Sequence, residues 1–215
     1  MSVRVKICGL STAETVETSV SAGADYLGFV FFPKSPRHLE LQAANKLSHL
    51  VPSTIAKVAL TVNADNQLFE AIIEAIQPDI LQLHGTESPA RLDEIRSLFG
   101  VPLMKAISIS DADDLLAVEN YRDSADLLLF DAKPPKSMVG ALPGGNGLSF
   151  DWALIAGHKP ALPWMLSGGL DATNIASAIQ ITAAEAVDVS SGVEEAPGRK
   201  KAELIENFIR AAKAA

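Results

Sequence analysis

Val3-Arg4-Val5-Lys6-Ile7-Cys8-Gly9-Leu10 is a β-branched run that ends in the only cysteine of the chain, and Ser11-Thr12-Ala13-Glu14 follows it directly. In a strand alternate residues share a face, so Val3, Val5 and Ile7 form an apolar side while Arg4, Lys6 and Cys8 form a side with two cations and a thiol. Gly9 closes the strand, and the Ser11-x-x-Glu14 spacing is that of a capping box at a helix start. The stretch is therefore one β/α unit with Cys8 at the carboxyl end of its strand. Taken alone, Cys8 reads as an inert buried thiol, because free cysteine usually packs as a small hydrophobe.

The same unit recurs outward from this stretch. Strands are predicted at Tyr26 to Phe32, Ile55 to Val62, Ile80 to His84, Leu103 to Ser108, Asp126 to Asp131, Pro163 to Ser167 and Ala186 to Ser190. In the third, Ala56, Val58, Leu60 and Val62 form the set expected on the outward face. Helical segments are predicted between them, over 12–22, 39–50, 65–77, 88–99, 111–121, 151–157 and 171–181, with a last helix over 202–212. The helix over 65–77 is the clearest, with Leu68, Ile72 and Ile76 four apart. Eight strands alternating with eight helical segments predict an α/β fold, a closed (β/α)₈ TIM barrel of parallel strands forming a single domain over residues 1–215. At about 27 residues per unit the barrel lies near the lower end of its size range. An open doubly wound sheet ranks lower, since no strand carries the charges or prolines that blunt an edge.

Composition narrows the partners. A formal net charge of −8 and a pI near 5.0 leave no cationic field for nucleic acid or an anionic membrane surface. No run approaches the roughly 18 apolar residues of a membrane span. One cysteine allows no internal disulfide, and no apolar amino-terminal segment with a basic flank reads as a signal peptide. The expectation is a soluble cytoplasmic protein, monomer or homodimer, with a small-molecule ligand.

In a barrel the strand ends converge on one face, where active sites lie. Strand seven ends in Ser167-Gly168-Gly169-Leu170, and strand eight in Ser190-Ser191-Gly192. Glycines and small hydroxyl residues on two neighbouring ends expose backbone amides to an anion, which favours phosphate binding over plain tight turns. When the barrel closes, strand eight meets strand one. Lys6 and Asp188 then both face inward and should pair near Cys8, because either charge buried alone would be costly. Asp131 ends strand six, so the rim reads Asp131, phosphate loops, Cys8. Gln82 and His84 project inward from strand four. The other histidines, His38, His49 and His158, are scattered, and neither a catalytic metal nor another cofactor is expected. Arg37 lies in the proline-stiffened loop after strand two; the residues alone leave a surface arginine and a bidentate carboxylate clamp equally open. Residues 132–149 hold prolines at 134, 135 and 143 and the run Gly144-Gly145-Asn146-Gly147; a loop this long is more often a functional lid than slack.

Lys6-Ile7-Cys8-Gly9, Gly28-Phe29-Val30-Phe31 with Ser35-Pro36-Arg37, Gln82-Leu83-His84-Gly85, Phe130-Asp131, Gly144-Gly145-Asn146-Gly147 with Phe150-Asp151-Trp152, Ser167-Gly168-Gly169-Leu170 and Val187-Asp188-Val189-Ser190-Ser191-Gly192-Val193-Glu194 run nearly end to end. On these motifs the chain resembles the phosphoribosylanthranilate isomerases, barrel enzymes of tryptophan biosynthesis. It departs from their pattern at Asn146, where threonine is expected, and at Thr61, where phenylalanine is frequent. The resemblance implies an Amadori rearrangement of a phosphorylated aminosugar, N-(5-phosphoribosyl)anthranilate, with Asp131 as general acid and Cys8 as general base. It further implies Arg37, Gln82 and His84 at the substrate, and Gly168, Gly169, Asp188, Ser190, Ser191 and Gly192 at the phosphate. The alternatives are another phosphosugar-barrel isomerase or epimerase, and a non-catalytic phosphosugar-binding protein. A two-aspartate aminoaldose isomerase would want Asp in place of Cys8, and a metal-dependent epimerase would want inward His and Asp ligands.

Overall fold

The computed structural model describes residues 2–133, 144–145, 147–149, 151–158 and 160–215. Most of the 132–149 loop, Asn146 included, lies outside the described residues.

Eight parallel strands close in chain order: β1 (Arg4–Cys8), β2 (Tyr26–Phe31), β3 (Ala56–Thr61), β4 (Ile80–Leu83), β5 (Leu103–Ile109), β6 (Leu127–Ala132), β7 (Trp164–Leu166) and β8 (Ala186–Val189). The closing pair β1/β8 sets Lys6 opposite Asp188 and Val5 opposite Val187. Outside lie the helices α1 (Ala13–Ala22), α2 (Leu41–Ser48), α3 (Asn66–Ile76), α4 (Pro89–Phe99), α5 (Ile175–Thr182) and α6 (Ala202–Ala214). No helix among the described residues is long and apolar enough to cross a membrane.

Two apolar regions hold the barrel. Val5, Ile7, Leu27, Phe29, Leu81, Phe130 and Val187 pack against the helices, while Tyr26, Val58, Ile80, Met104, Leu129, Met165 and Ala186 fill the interior. The inward plug excludes water from below, so polar groups higher on the same strand faces open only at the carboxyl rim.

Several expectations shift. The β3 set faces inward: Val58 and Ala56 join the interior cluster, and Leu60 and Val62 line the rim cavity. A parallel strand covered on both sides is apolar on both, so alternation does not say which face is which. Helix α1 is capped by Thr12, whose hydroxyl accepts from the Thr15 amide, and not by Ser11. Residues Ala112–Tyr121 wind as a 3-10 helix with a true capping box between Asp111 and Asp114; Val118 is their only buried side chain, so no apolar stripe supports an α-helix. Of residues 151–157, only Trp152–Leu154 are helical, again as a 3-10 turn. Helix α5 starts at Ile175 because the Asp171 carboxylate instead takes the amides of Thr173 and Asn174 and the Thr173 hydroxyl. After β8, a 3-10 turn at Ser191–Val193 leads into an unpredicted hairpin, β9 (Glu194–Ala196) and β10 (Arg199–Lys200).

Thr61 is fully buried, and its hydroxyl has no partner among the described residues. An unpaired buried hydroxyl costs roughly 1–3 kcal/mol. Thr61→Val removes it at nearly constant shape and is expected to raise the thermal midpoint by about 2–4 °C, as about 1 kcal/mol does in a chain of this size. Calorimetry of the two proteins checks this; an unchanged or lower midpoint refutes it.

Candidate active site

Parallel strands point their carboxyl ends to one rim, and there a cavity is lined by Cys8, Arg37, His84, Asp131, Gly168, Gly169, Asp188, Ser190 and Ser191 among others. Gln82 and Gly192, also expected in this set, do not line it. Gln82 lies one layer deeper, wholly buried beneath His84. Gly192 is packed so closely on the Leu170 carbonyl that no side chain would fit.

Asp131 follows Leu127 and Leu129 on the inward face of β6. One carboxylate oxygen accepts from the Ala132 amide at 2.9 Å, and the other lies 3.2 Å from His84 Nε2. Behind it, the Gln82 amide nitrogen is 2.9 Å from His84 Nδ1. That amide orientation makes Nδ1 the acceptor and turns an Nε2–H towards Asp131. Gln82 and His84 thus orient the carboxyl, with His84 alone of the two on the cavity wall. Lys105 supports this loop from the helix side of β5: its ammonium bonds the carbonyls of Leu83 and Gly85 on either side of His84, and Glu87 at 2.9 Å. Burial pulls the Lys105 pKa down despite Glu87.

Cys8 ends β1, buried, across the Gly168–Gly169 and Ser190–Ser191 loops from Asp131. Lys6 lies one inward position below it and pairs with Asp188 at 2.7 Å, as its strand register requires. Ser167 donates to the second Asp188 oxygen at 3.1 Å. With its carboxylate so engaged, Asp188 is not an anion ligand: a carboxylate repels phosphate, and this one holds Lys6. Burial drives the Cys8 thiol above its ordinary range, and Lys6, then Lys200, pull against that rise. For Lys6 burial acts downward, yet Asp188 and Cys8 together leave its pKa raised, so it stays an ammonium.

Between acid and thiol, Gly168 and Gly169 both have positive φ, 92° and 62°. Only glycine tolerates two such residues in succession against the Ala132 and Leu148–Ser149 backbones that crowd them. Their turn, with Ser190 and Ser191 beside it, forms the wall in which an anion would meet backbone amides and the Ser191 hydroxyl, since the Ser190 hydroxyl already donates to the Cys8 carbonyl at 3.2 Å.

Arg37 is buried, and its fork is already occupied. Nε and Nη2 donate to the two oxygens of Glu194 at 2.7 and 2.8 Å, and Nη2 also donates to the Gly145 carbonyl at 3.1 Å. Only the Nη1 end of the guanidinium is left without a hydrogen-bond partner among the described residues. Lys200 bonds Glu194 at 2.6 Å. Burial opposes ionisation of both partners; the cations nonetheless hold the Glu194 carboxyl below its usual range, whereas Lys200 is left lowered. Neither Glu194 nor Lys200 is singled out by sequence reasoning. Pro197-Gly198, a turn dipeptide, was the signal for the hairpin that carries them.

Gly144 lies over the acid. A Cβ there would sit 2.5 Å from His84 Nε2 and 2.6 Å from Asp131 Oδ2. Gly144→Ala is expected to push this backbone off the rim and cost about 10²-fold in kcat/KM, since a displacement of about 1 Å near the reacting groups has that effect. Steady-state kinetics with an unchanged thermal midpoint would bear it out; wild-type kcat/KM would sink it.

The family model for N-(5'-phosphoribosyl)anthranilate (PRA) isomerase matches residues 5–211. The N-(5'-phosphoribosyl)anthranilate isomerase of Parvibaculum lavamentivorans is 68% identical over 215 residues, the whole of both chains. That of Rhodopseudomonas palustris is 53% identical over the same full length. Among solved structures, phosphoribosyl anthranilate isomerase from Thermotoga maritima superposes with a TM-score of 0.88 at 36% identity, covering 99% of this chain and 100% of that one. A phosphoribosyl anthranilate isomerase in complex with reduced 1-(o-carboxyphenylamino)-1-deoxyribulose 5-phosphate superposes with a TM-score of 0.85 at 34% identity, with the same coverage. Barrel, rim order and end-to-end sequence likeness converge: the chain belongs to the N-(5'-phosphoribosyl)anthranilate isomerase family.

Proposed function

We propose that Asp131 and Cys8 are the general acid and general base of an Amadori rearrangement carried out in this cavity. The protein is an isomerase of tryptophan biosynthesis that converts N-(5-phosphoribosyl)anthranilate to 1-(2-carboxyphenylamino)-1-deoxyribulose 5-phosphate. The observation that carries the residue roles is that a carboxyl and a thiol flank one double-glycine turn on a single cavity wall.

Asp131 protonates the furanose ring oxygen; the C1–O bond breaks as the anthranilate nitrogen lone pair forms the C1=N bond of a protonated Schiff base. The Cys8 thiolate takes the proton from C2, and those electrons neutralise the iminium to give an enolamine. Protonation at C1 and loss of the O2 proton then yield the ketone. Lys6 stabilises the thiolate while Asp188 holds Lys6 in place. Gly168, Gly169, Ser190 and Ser191 bind the phosphate, and the Nη1 end of Arg37 binds the anthranilate carboxylate. His84 borders the substrate, and Gln82 sets its ring. The whole chain acts as one domain, a cytoplasmic monomer or homodimer that takes no cofactor.

Loss of substrate fluorescence on mixing the protein with freshly formed N-(5-phosphoribosyl)anthranilate tests the activity. Tight binding of the product without turnover would instead mark a phosphosugar-binding protein.

A further inference from the structure

Arg37 presents an unusual balance of charge. Its Nε and Nη2 are committed to both oxygens of Glu194, and Nη1 has no hydrogen-bond partner among the described residues. A guanidinium paired only with a carboxylate is a neutral unit and attracts an anion weakly. Here the Glu194 carboxylate is shared: Lys200, with its side chain 1% exposed, bonds the same Oε1 at 2.6 Å, so the cluster carries two cations to one anion. The remaining Lys200 donors go to the Ser190 carbonyl at 3.0 Å and hydroxyl at 3.3 Å. Lys200 therefore has no proton left for a ligand and acts only through its neighbours.

The chain builds this arrangement deliberately. Pairing of β9 with β10 sets Lys200 directly opposite Glu194. The turn at Gly198, with φ of 79°, packs against the Pro36 carbonyl in the loop that carries Arg37. The hairpin is thereby docked on the arginine it orients.

We infer that Glu194 and Lys200 are positioning residues that confer selectivity for the substrate's aryl carboxylate. Glu194 locks the side edge of the guanidinium so that Nη1 faces the cavity, and Lys200 cancels the Glu194 charge so that the clamp stays net positive. This rests on the assignment of Arg37 to the carboxylate.

The test is calorimetric binding of two ligands, reduced 1-(2-carboxyphenylamino)-1-deoxyribulose 5-phosphate and its phenylamino counterpart lacking the carboxylate. The ratio of their affinities reports the carboxylate contact alone. Glu194→Asp, which keeps the charge but draws the carboxylate back from the fork, and Lys200→Met are each expected to shrink that ratio by about tenfold, the scale of one charge-assisted hydrogen bond, with affinity for the carboxylate-free ligand within about threefold of wild type. Lys200→Arg, which keeps the charge, is expected to retain the ratio. Equal losses for both ligands would mean a merely structural hairpin and overturn the inference. So would a collapse of the ratio in Arg37→Met without change in Glu194→Asp and Lys200→Met. An unchanged ratio in Arg37→Met would overturn the assignment of Arg37 itself.

Discussion

Asp131→Asn is expected to lower kcat by about 10²–10⁴-fold, the usual contribution of a positioned general acid, while KM moves only a few-fold. The substitution is nearly isosteric, so the amide oxygen still accepts from the Ala132 amide that now bonds Oδ1 at 2.9 Å. The amide nitrogen can face His84, whose Nε2 stands 3.2 Å from Oδ2, if the imidazole takes its other tautomer and the Gln82 amide turns over so that its oxygen accepts from Nδ1–H. The packing and the cavity wall survive, and what is lost is the transferable proton. An amide cannot protonate the ring oxygen, so the furanose stays closed. Stopped-flow fluorescence with substrate in excess would show binding without decay. Near-wild-type turnover would remove Asp131 from the acid's role.

Cys8→Ala should be comparably damaging, again about 10²–10⁴-fold in kcat, because ring opening alone leaves the C2 proton in place. The pH dependence identifies the group. A base works only when deprotonated, and burial raises the Cys8 thiol while Lys6 and Lys200 only partly offset that rise. In the free enzyme the thiolate is therefore the minor form near neutrality, and its ultraviolet absorbance should grow in only above about pH 8.5, the ordinary thiol range. A depressed thiol would instead give its absorbance step well below neutral pH. Cys8 is the only cysteine, so Cys8→Ala should abolish this step together with most of the turnover. A variant with unchanged turnover would exclude the thiol as base.

The two predictions rely on different kinds of information. That Cys8 and Asp131 end inward-facing strand positions is legible from alternation, since Val5 and Ile7 on β1 and Leu128 and Phe130 on β6 pack outward. Register was legible too: the inward facing of Lys6 and Asp188 predicted their pair, now seen at 2.7 Å. The same reasoning failed for β3, where both faces are apolar; for Gln82 it found the inward face but not the depth, because alternation tells inward from outward and not how deep in the barrel a residue lies. For Arg37 it left a surface arginine and a carboxylate clamp equally open, because the partner that occupies the fork lies 157 positions away in sequence. Nor does any local pattern connect Lys105 to the carbonyls around His84.

By itself, the sequence determined the alternating elements, the closed barrel and the rim order of carboxyl, glycine- and serine-rich loops and thiol, because strand period, helix stops and barrel closure are local or topological rules. Only the tertiary structure decided how the charged groups are paired: Asp188 on Lys6 and not on an anion, Glu194 shared by Arg37 and Lys200, and His84 set against Asp131. Charge pairing depends on which side chains meet within about 3 Å, and that is settled by register, depth and loop packing acting together, none of which is written in the spacing of the residues themselves.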